Sequence, residues 1–228
     1  MKILSLDTST RILTMAINED KEIIFEFERE IDSGCNKILF PLLKEILEKN
    51  SLSLEDIDLF AVGIGPGSFT GTRIALSVMK TFSYLKNKPI IGVSTLDTIA
   101  YNLRGEINDL ICPILDAKRG NLYTAIYQKR REKLERISEY LLISLEELIK
   151  KINSSVFFLG DGIFLYRKEI LKKIPQAKFG NCNLWYPKAG NLGIIAYERF
   201  KEGKSDSSFE LVPLYLYPKE CSVTIKKK

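Results

Sequence analysis

Whatever chemistry this chain performs, it performs without an imidazole, because its 228 residues include no histidine. That excludes every Ser-His-Asp or Cys-His nucleophile arrangement. It also excludes His-ligated zinc or iron and the H-E-x-x-H metalloprotease pattern. Carboxylates, lysines and an oxygen-held metal remain. Two features supply them: the run Gly65-Pro66-Gly67-Ser68-Phe69-Thr70-Gly71-Thr72-Arg73, and two aspartates, Asp7 and Asp116, each closing an apolar stretch.

The glycine-rich run has the parts of an anion site. Gly65 precedes a proline and is biased to an extended conformation. Gly67 takes a positive φ without cost and reverses the chain. Ser68 or Thr70 can cap a helix that starts here, and Gly71 lets a backbone or ligand come close. An exposed helix start carries free N–H groups and partial positive charge, and Arg73 adds a formal one. The standard nucleotide patterns nevertheless fail. Gly71 is followed by Thr72 and Arg73 rather than Lys and Ser or Thr, and Thr70 stands where a dinucleotide fingerprint needs glycine. G-x-S-x-G is missing as well. A tight turn between strand and helix, with no ligand, is the alternative.

The aspartates raise a second expectation. Leu6-Asp7 is followed by Leu13, Ala16 and Ile17; Leu115-Asp116 is followed at the same offsets by Leu122, Ala125 and Ile126. A duplicated lobe is the reading, divided at 1–103 and 104–228. Asp7 and Asp116 would then converge on a cleft where a hydrated Mg²⁺ could meet a nucleotide phosphate; the alternative is that each closes its hairpin as an Asx-turn. The candidate contacts to an anion or nucleotide are thus Asp7, Ser9, Gly65, Gly67, Ser68, Thr70, Gly71, Arg73 and Asp116.

The elements that must carry these residues follow from periodicity. Ile3–Leu6, Ile12–Ile17 and Glu22–Glu28 read as an antiparallel meander. A helix over Asn36–Lys49, a strand over Leu59–Ile64, a helix to Lys86 and a strand over Pro89–Val93 come next, giving helices over a mixed sheet. In the second half, Leu110–Leu115, Leu122–Gln128 and Lys133–Ser138 read as strands before a helix over Leu145–Ile152 and a strand over Val156–Leu159. Gly160-Asp161-Gly162 then repeats the strand–glycine–helix step. Pro41 is expected to kink the first helix or delay its start. Apolar residues cover roughly 200° of that helix, beyond the ~100° a one-sided surface helix needs. The helix after the glycine run is as wide. Ile38, Leu39, Leu42, Leu43, Ile74, Val78 and Phe82 are the candidates for packing in or under a partner interface, with core burial the commoner reason for such width.

Composition sets the remaining bounds. The apolar fraction of 45% and charged fraction of 28% are ordinary for a soluble globular chain. A net charge of +5 with basic runs at Lys118–Arg119, Lys129–Arg131 and Lys226–Lys228 fits solvated surface better than an RNA face. The four cysteines are widely spaced and no stretch is long and apolar enough for a membrane span, so reduced thiols in a cytoplasmic protein are expected.

Read together, Ala61-Val-Gly-Ile-Gly-Pro-Gly-Ser-Phe-Thr-Gly-Thr-Arg-Ile-Ala75, Ile91-Gly-Val-Ser-Thr-Leu96, Leu4-Ser-Leu-Asp-Thr-Ser-Thr10, Leu115-Asp-Ala117 and Pro213-Leu-Tyr-Leu216 closely resemble the bacterial TsaB (YeaZ) family across nearly the whole chain. The resemblance implies an α/β actin-like ATPase (ASKHA) fold of two RNase-H-like lobes. It implies a non-catalytic subunit that activates TsaD in making N6-threonylcarbamoyladenosine at position 37 of ANN-decoding tRNAs. Pairing with TsaD would run through the first two helices, with TsaE joining the assembled complex and tRNA met indirectly. The family's catalytic paralogue holds metal through paired histidines, which this chain lacks. No tightly bound cofactor is implied, and ATP or ADP with Mg²⁺ enters only in the complex; wide apolar helices also allow a homodimer. Cys35 stands where the family often has a histidine. An ATP-dependent phosphotransferase using Asp7 and Asp116 is the rival expectation.

Overall fold

The computed structural model describes residues 1–31, 35–103, 109–130 and 133–217, the side chains of 35–37 excepted. The Cys35 side chain, Arg131, Cys221 and the basic run Lys226–Lys228 lie outside that set.

Strands β1 (Lys2–Asp7), β2 (Ile12–Glu19) and β3 (Glu22–Glu30) form the expected meander. Helix α1 (Cys35–Lys49), β4 (Leu59–Gly63), α2 (Phe69–Lys86), β5 (Ile90–Val93) and α3 (Thr95–Ala100) follow. Pro41 is accommodated inside α1 and is exposed. The second half runs β6 (Leu110–Asp116), β7 (Asn121–Thr124), β8 (Tyr127–Arg130), β9 (Lys133–Arg136), β10 (Leu141–Ser144), α4 (Leu145–Lys151), β11 (Val156–Leu159), α5 (Gly162–Lys173), β12 (Lys178–Phe179) and α6 (Ala189–Lys201). The strand expected over Leu122–Gln128 is broken in two. Its first part lies between β6 and β10, while Tyr127 opens a separate hairpin that meets β6 at Ile111.

The two sheets repeat one plan. The first has the order β3-β2-β1-β4-β5 and the second β10-β7-β6-β11-β12. In each, the first two pairings are antiparallel and the last two parallel. Apolar residues on both faces let each sheet carry helices on both sides. One face of the first sheet (Leu4, Leu6, Phe60, Val62) packs on α1 and α2. Its other face (Ile3, Leu59, Ala61) packs on Leu192, Ile195 and Ala196 of α6. In the second sheet, Cys112, Ile114 and Phe158 face α4 and α5, and Ile111, Leu115 and Leu159 face α3.

Residues beyond 104 do not all stay with the second sheet. Helix α6 lies on the first, and the stretch 206–217 returns over both halves as a strap. The Asp206 carboxylate accepts the Gly92 amide at 2.7 Å, the Leu214 amide donates to the Ile64 carbonyl at 2.8 Å, and the Tyr217 hydroxyl donates to the Ala117 carbonyl at 2.8 Å. Elsewhere, Asp97 of α3 ties the halves together. It accepts hydroxyl bonds from Tyr127 and Tyr140 of the second half, both at 2.8 Å, and pairs with Arg199 at 2.7 Å. Burial, then Asp97, pushes the Tyr140 phenol up to about 12.

Candidate functional site

The glycine run is a docking surface for the chain's own β1–β2 loop. Ser68 donates its amide to the Ser9 carbonyl at 2.6 Å, and the Thr8 hydroxyl donates to the Gly71 carbonyl at 2.7 Å. Ser68 is the helix cap: its side chain accepts the Gly71 amide at 3.1 Å, while the Thr72 amide reaches the Ser68 carbonyl at 2.9 Å. A Cβ at Gly67 would overlap the Ser9 carbonyl, and one at Gly71 the Thr8 carbonyl. These two glycines are therefore required by close approach. The positive φ falls instead on Gly65, at 87°, contrary to the extended conformation expected there and the turn role expected of Gly67. The Ser68, Gly71 and Thr72 amides are bonded inside the chain and are therefore not offered to an anion.

A cleft of about 640 Å³ opens between the halves. Ser9, Gly67, Ser68, Thr70, Gly71 and Asp116 line it; Asp7, Gly65 and Arg73 do not. Arg73 is exposed and turned away, its guanidinium 3.7 Å from the Phe69 ring centre and its Nε donating to the Tyr215 hydroxyl at 2.7 Å.

The two aspartates do not converge. Alternation along β1 puts Asp7 on the face of Ile3 and Ser5, whereas Asp116 shares the face of Cys112 and Ile114. Those are opposite faces relative to the paired helices α1/α2 and α4/α5. Asp7 is fully buried, its carboxylate accepting the Ser9 amide at 2.6 Å and the Thr95 hydroxyl at 3.4 Å. Burial raises its pKa above the ordinary value, the bonds from Ser9 and Thr95 opposing. A shared Mg²⁺ site at Asp7 and Asp116 is corrected by this: both residues close Asx-turns, Asp116 accepting the Lys118 amide at 2.8 Å and its ammonium at 2.6 Å. Burial works to raise Asp116, but the two Lys118 contacts outweigh it and hold the carboxyl below its usual range. The carboxylate that does accompany Asp116 is Asp161, which lines the same cleft, accepts the Asp116 amide at 3.2 Å and is raised by burial. Gly160-Asp161-Gly162 was visible in the sequence as a turn; the neighbour of its carboxylate was not. Among the described residues, no group of three or more His, Cys, Asp or Glu is arranged to hold a metal ion.

Helices α1 and α2 divide the expected interface residues. Leu39, Leu43 and Val78 are buried in the core. Ile38, Leu42, Ile74 and Phe82 are half-buried along its edge. Left outside is Phe40, 56% exposed, its ring set edge-on to Phe82 at 6.4 Å between centres, and near the end of α2 Tyr84 and Leu85 are exposed as well. Phe69, at the start of α2, is as exposed. The width of both helices thus has two causes: a buried face against the sheet, and an apolar flank that the chain itself does not cover.

The same plan occurs in known proteins. Residues 33–218 match the family model described as TsaD: tRNA N6-adenosine threonylcarbamoyltransferase. The tRNA threonylcarbamoyladenosine biosynthesis protein TsaB of Bacillus subtilis (strain 168) is 30% identical over 95% of this chain and 94% of its own length. The chain belongs to the TsaB (YeaZ) family. Membership carries a role in threonylcarbamoyladenosine biosynthesis as a tRNA-modification protein. YeaZ from Pseudomonas aeruginosa has the same fold, with a TM-score of 0.80 and 23% identity over 94% of this chain and 99% of its own. The activator of 2-hydroxyisocaproyl-CoA dehydratase from Clostridium difficile superposes at 0.51 with 12% identity, covering 89% and 97%. The TsaB fold is accordingly the actin-like ATPase plan, two like sheets flanked by helices. No helix among the described residues is long and apolar enough to cross a membrane.

Proposed function

We propose that this chain is the non-catalytic subunit of a tRNA threonylcarbamoyl transferase, pairing with a TsaD-type subunit and activating it toward position 37 of ANN-decoding tRNAs. The observation that carries the reading is the uncovered apolar flank of α1 and α2, with Phe40 exposed over half-buried Phe82. A flank of this kind is what a partner's helices would cover. The glycine run supports the same reading. Its Ser68 amide and Gly71 carbonyl hold the β1–β2 loop, which suits a scaffold. ATP or ADP with Mg²⁺ then belongs to the catalytic partner and to TsaE in the assembled complex, in the cytoplasm, and the same flank would serve a homodimer when the chain is alone.

The test is co-purification with a TsaD-type subunit, followed by a reconstituted modification assay with and without this chain. Activation that requires this chain, with no ATP turnover by the chain alone, is the expected result. ATP hydrolysis or sugar phosphorylation by the isolated chain would overturn it in favour of a phosphotransferase.

A further inference from the structure

Five lysines gather on two neighbouring helices of the second half. Lys150 and Lys151 end α4, and Lys168, Lys172 and Lys173 lie on α5. All five are exposed. Many lysines elsewhere meet a carboxylate, as in Lys49–Glu45, Lys88–Asp58 and Lys178–Asp109, while Lys80 donates to backbone carbonyls and Lys201 lies over the Tyr197 ring. None of the five has such an ion pair within 4 Å among the described residues, although Glu146 and Glu169 lie on the same helices. The Glu147 carboxylate is engaged by Ser144 in a capping box, and those bonds first, then the charges of Lys150 and Lys151, hold it below its ordinary range.

Topology brings these lysines together. Helix α4 leads into β11 and α5 into β12, and those strands pair in parallel, Phe157 opposite Lys178. Both helices therefore end where those strands begin, at the same end of the sheet, and they pack on each other through one core. A cation in a last turn offsets the helix dipole, but one per helix does that; paired lysines on both ends, with Lys168 a turn earlier, exceed it. The outer stripe of α5 also carries Phe164, 82% exposed, in line with Lys168 and Lys172 at helical spacing. The apolar inner face of α5 (Ile163, Ile170) and Ile174 just past its end are buried in the core. It is not free to lie in a lipid surface as an interfacial helix would.

We propose that the C-terminal ends of α4 and α5 bind the phosphate backbone of RNA through Lys150, Lys151, Lys168, Lys172 and Lys173, and that Phe164, at the start of the same α5 stripe, is offered to an unpaired base. A run of cations leading along one helix stripe to an exposed ring, with Lys168 a turn from Phe164, is the chemistry of backbone contact plus stacking. The inference rests on the reading that this chain works in a tRNA-modifying complex, and it makes the contact with tRNA direct.

The test uses the complex with the TsaD-type subunit and a labelled, unmodified tRNA transcript, with anisotropy followed between about 50 and 200 mM salt. The triple change Lys168→Glu, Lys172→Glu, Lys173→Glu is expected to weaken binding at least about tenfold and to flatten the salt slope by about 1 for each phosphate no longer neutralised. Lys150→Gln with Lys151→Gln should do the same more mildly, and Phe164→Ala should lower affinity without changing the slope. Lys21→Glu, on the first half, serves as the control. Binding and slope equal to the control in the triple variant overturn the proposal. So does lysine-dependent binding to phosphatidylserine vesicles without tRNA binding. Modification activity of the wild-type complex is read separately. An active complex indifferent to these lysines removes this inference alone, whereas an inactive wild-type complex removes the proposed function.

Discussion

Asp7 and Asp116 end matching strands of the two sheets, and each accepts the amide two residues on, at 2.6 and 2.8 Å, yet their side chains leave opposite faces. Asp7 therefore lies under Gly63, where a Cβ would overlap its carboxylate, while Asp116 looks into the cleft beside Asp161. The same bond thus places one aspartate in the core and the other in the site.

Asp7→Asn should keep the Ser9 and Thr95 contacts, remove a buried charge and leave activation of the partner unchanged. Asp7→Ala should leave the buried Ser9 amide unpaired and cost about 1–3 kcal/mol, read by urea unfolding. The pH dependence has a defined sign. Because the native pKa is raised, the site's contribution is full below the ordinary value of 3.8 and declines as pH rises through the raised value. Asp7→Asn should abolish that decline. Loss of activation in Asp7→Asn would restore a catalytic role for the carboxylate.

Gly71→Ala should separate the β1–β2 loop from α2, because the added carbon would meet the Thr8 carbonyl. A loss of about 2 kcal/mol or more is expected, as for other overpacked sites. Ser68→Ala removes only the cap and should cost about 1 kcal/mol. Thermal melts of the two variants side by side check the order.

Phe40→Ala should leave the melting temperature of the isolated chain nearly unchanged, since the ring is mostly exposed, and weaken the complex with the TsaD-type subunit about tenfold or more. Val78→Glu tests the opposite case: its side chain is 7% exposed, so the charge enters the core and the isolated chain should fail to fold. Circular dichroism with a pull-down separates the two outcomes.

Asp97→Ala should strand the Tyr127 and Tyr140 hydroxyls and Arg199 together, costing about 3–5 kcal/mol. Tyr140→Phe loses one bond, about 1 kcal/mol, and carries a pH signature. With the phenol pushed up to about 12 in the fold, its contribution is complete below the ordinary value of 10 and disappears as pH rises toward 12. Alkaline unfolding of Tyr140→Phe should accordingly be less steep than that of the parent.

Much of the architecture was legible in the residues themselves. The alternation over Ile12–Ile17, the wide apolar helices and the repeated strand–glycine–helix step each reflect burial that local pattern records. The repeated plan was legible too, because Leu13 and Leu122, like Ile17 and Ile126, sit on equivalent sheet faces. What pattern could not show was facing. A one-residue difference in where β1 and β6 meet their partners turns Asp7 inward and Asp116 outward, and no spacing within either segment reveals it. The glycine run misled for a related reason. Gly67 and Gly71 answer to carbonyls of Ser9 and Thr8, some sixty residues earlier, so their composition resembled that of a ligand site. The α5 lysines escaped notice because they alternate with core residues along the chain and gather only once α4 and α5 finish at the same end of the sheet.

Helix α6 bears on how the molecule comes into being. It covers Ile3 and Leu59, so the first sheet is finished by residues that follow the whole second sheet in the chain. Closing so long a loop carries an entropic cost before any contact rewards it, and topologies of this kind fold slowly. The two halves therefore cannot mature one after the other as the chain emerges. During synthesis the first sheet waits with one apolar face bare until α6 has emerged, and that interval is the one most exposed to aggregation.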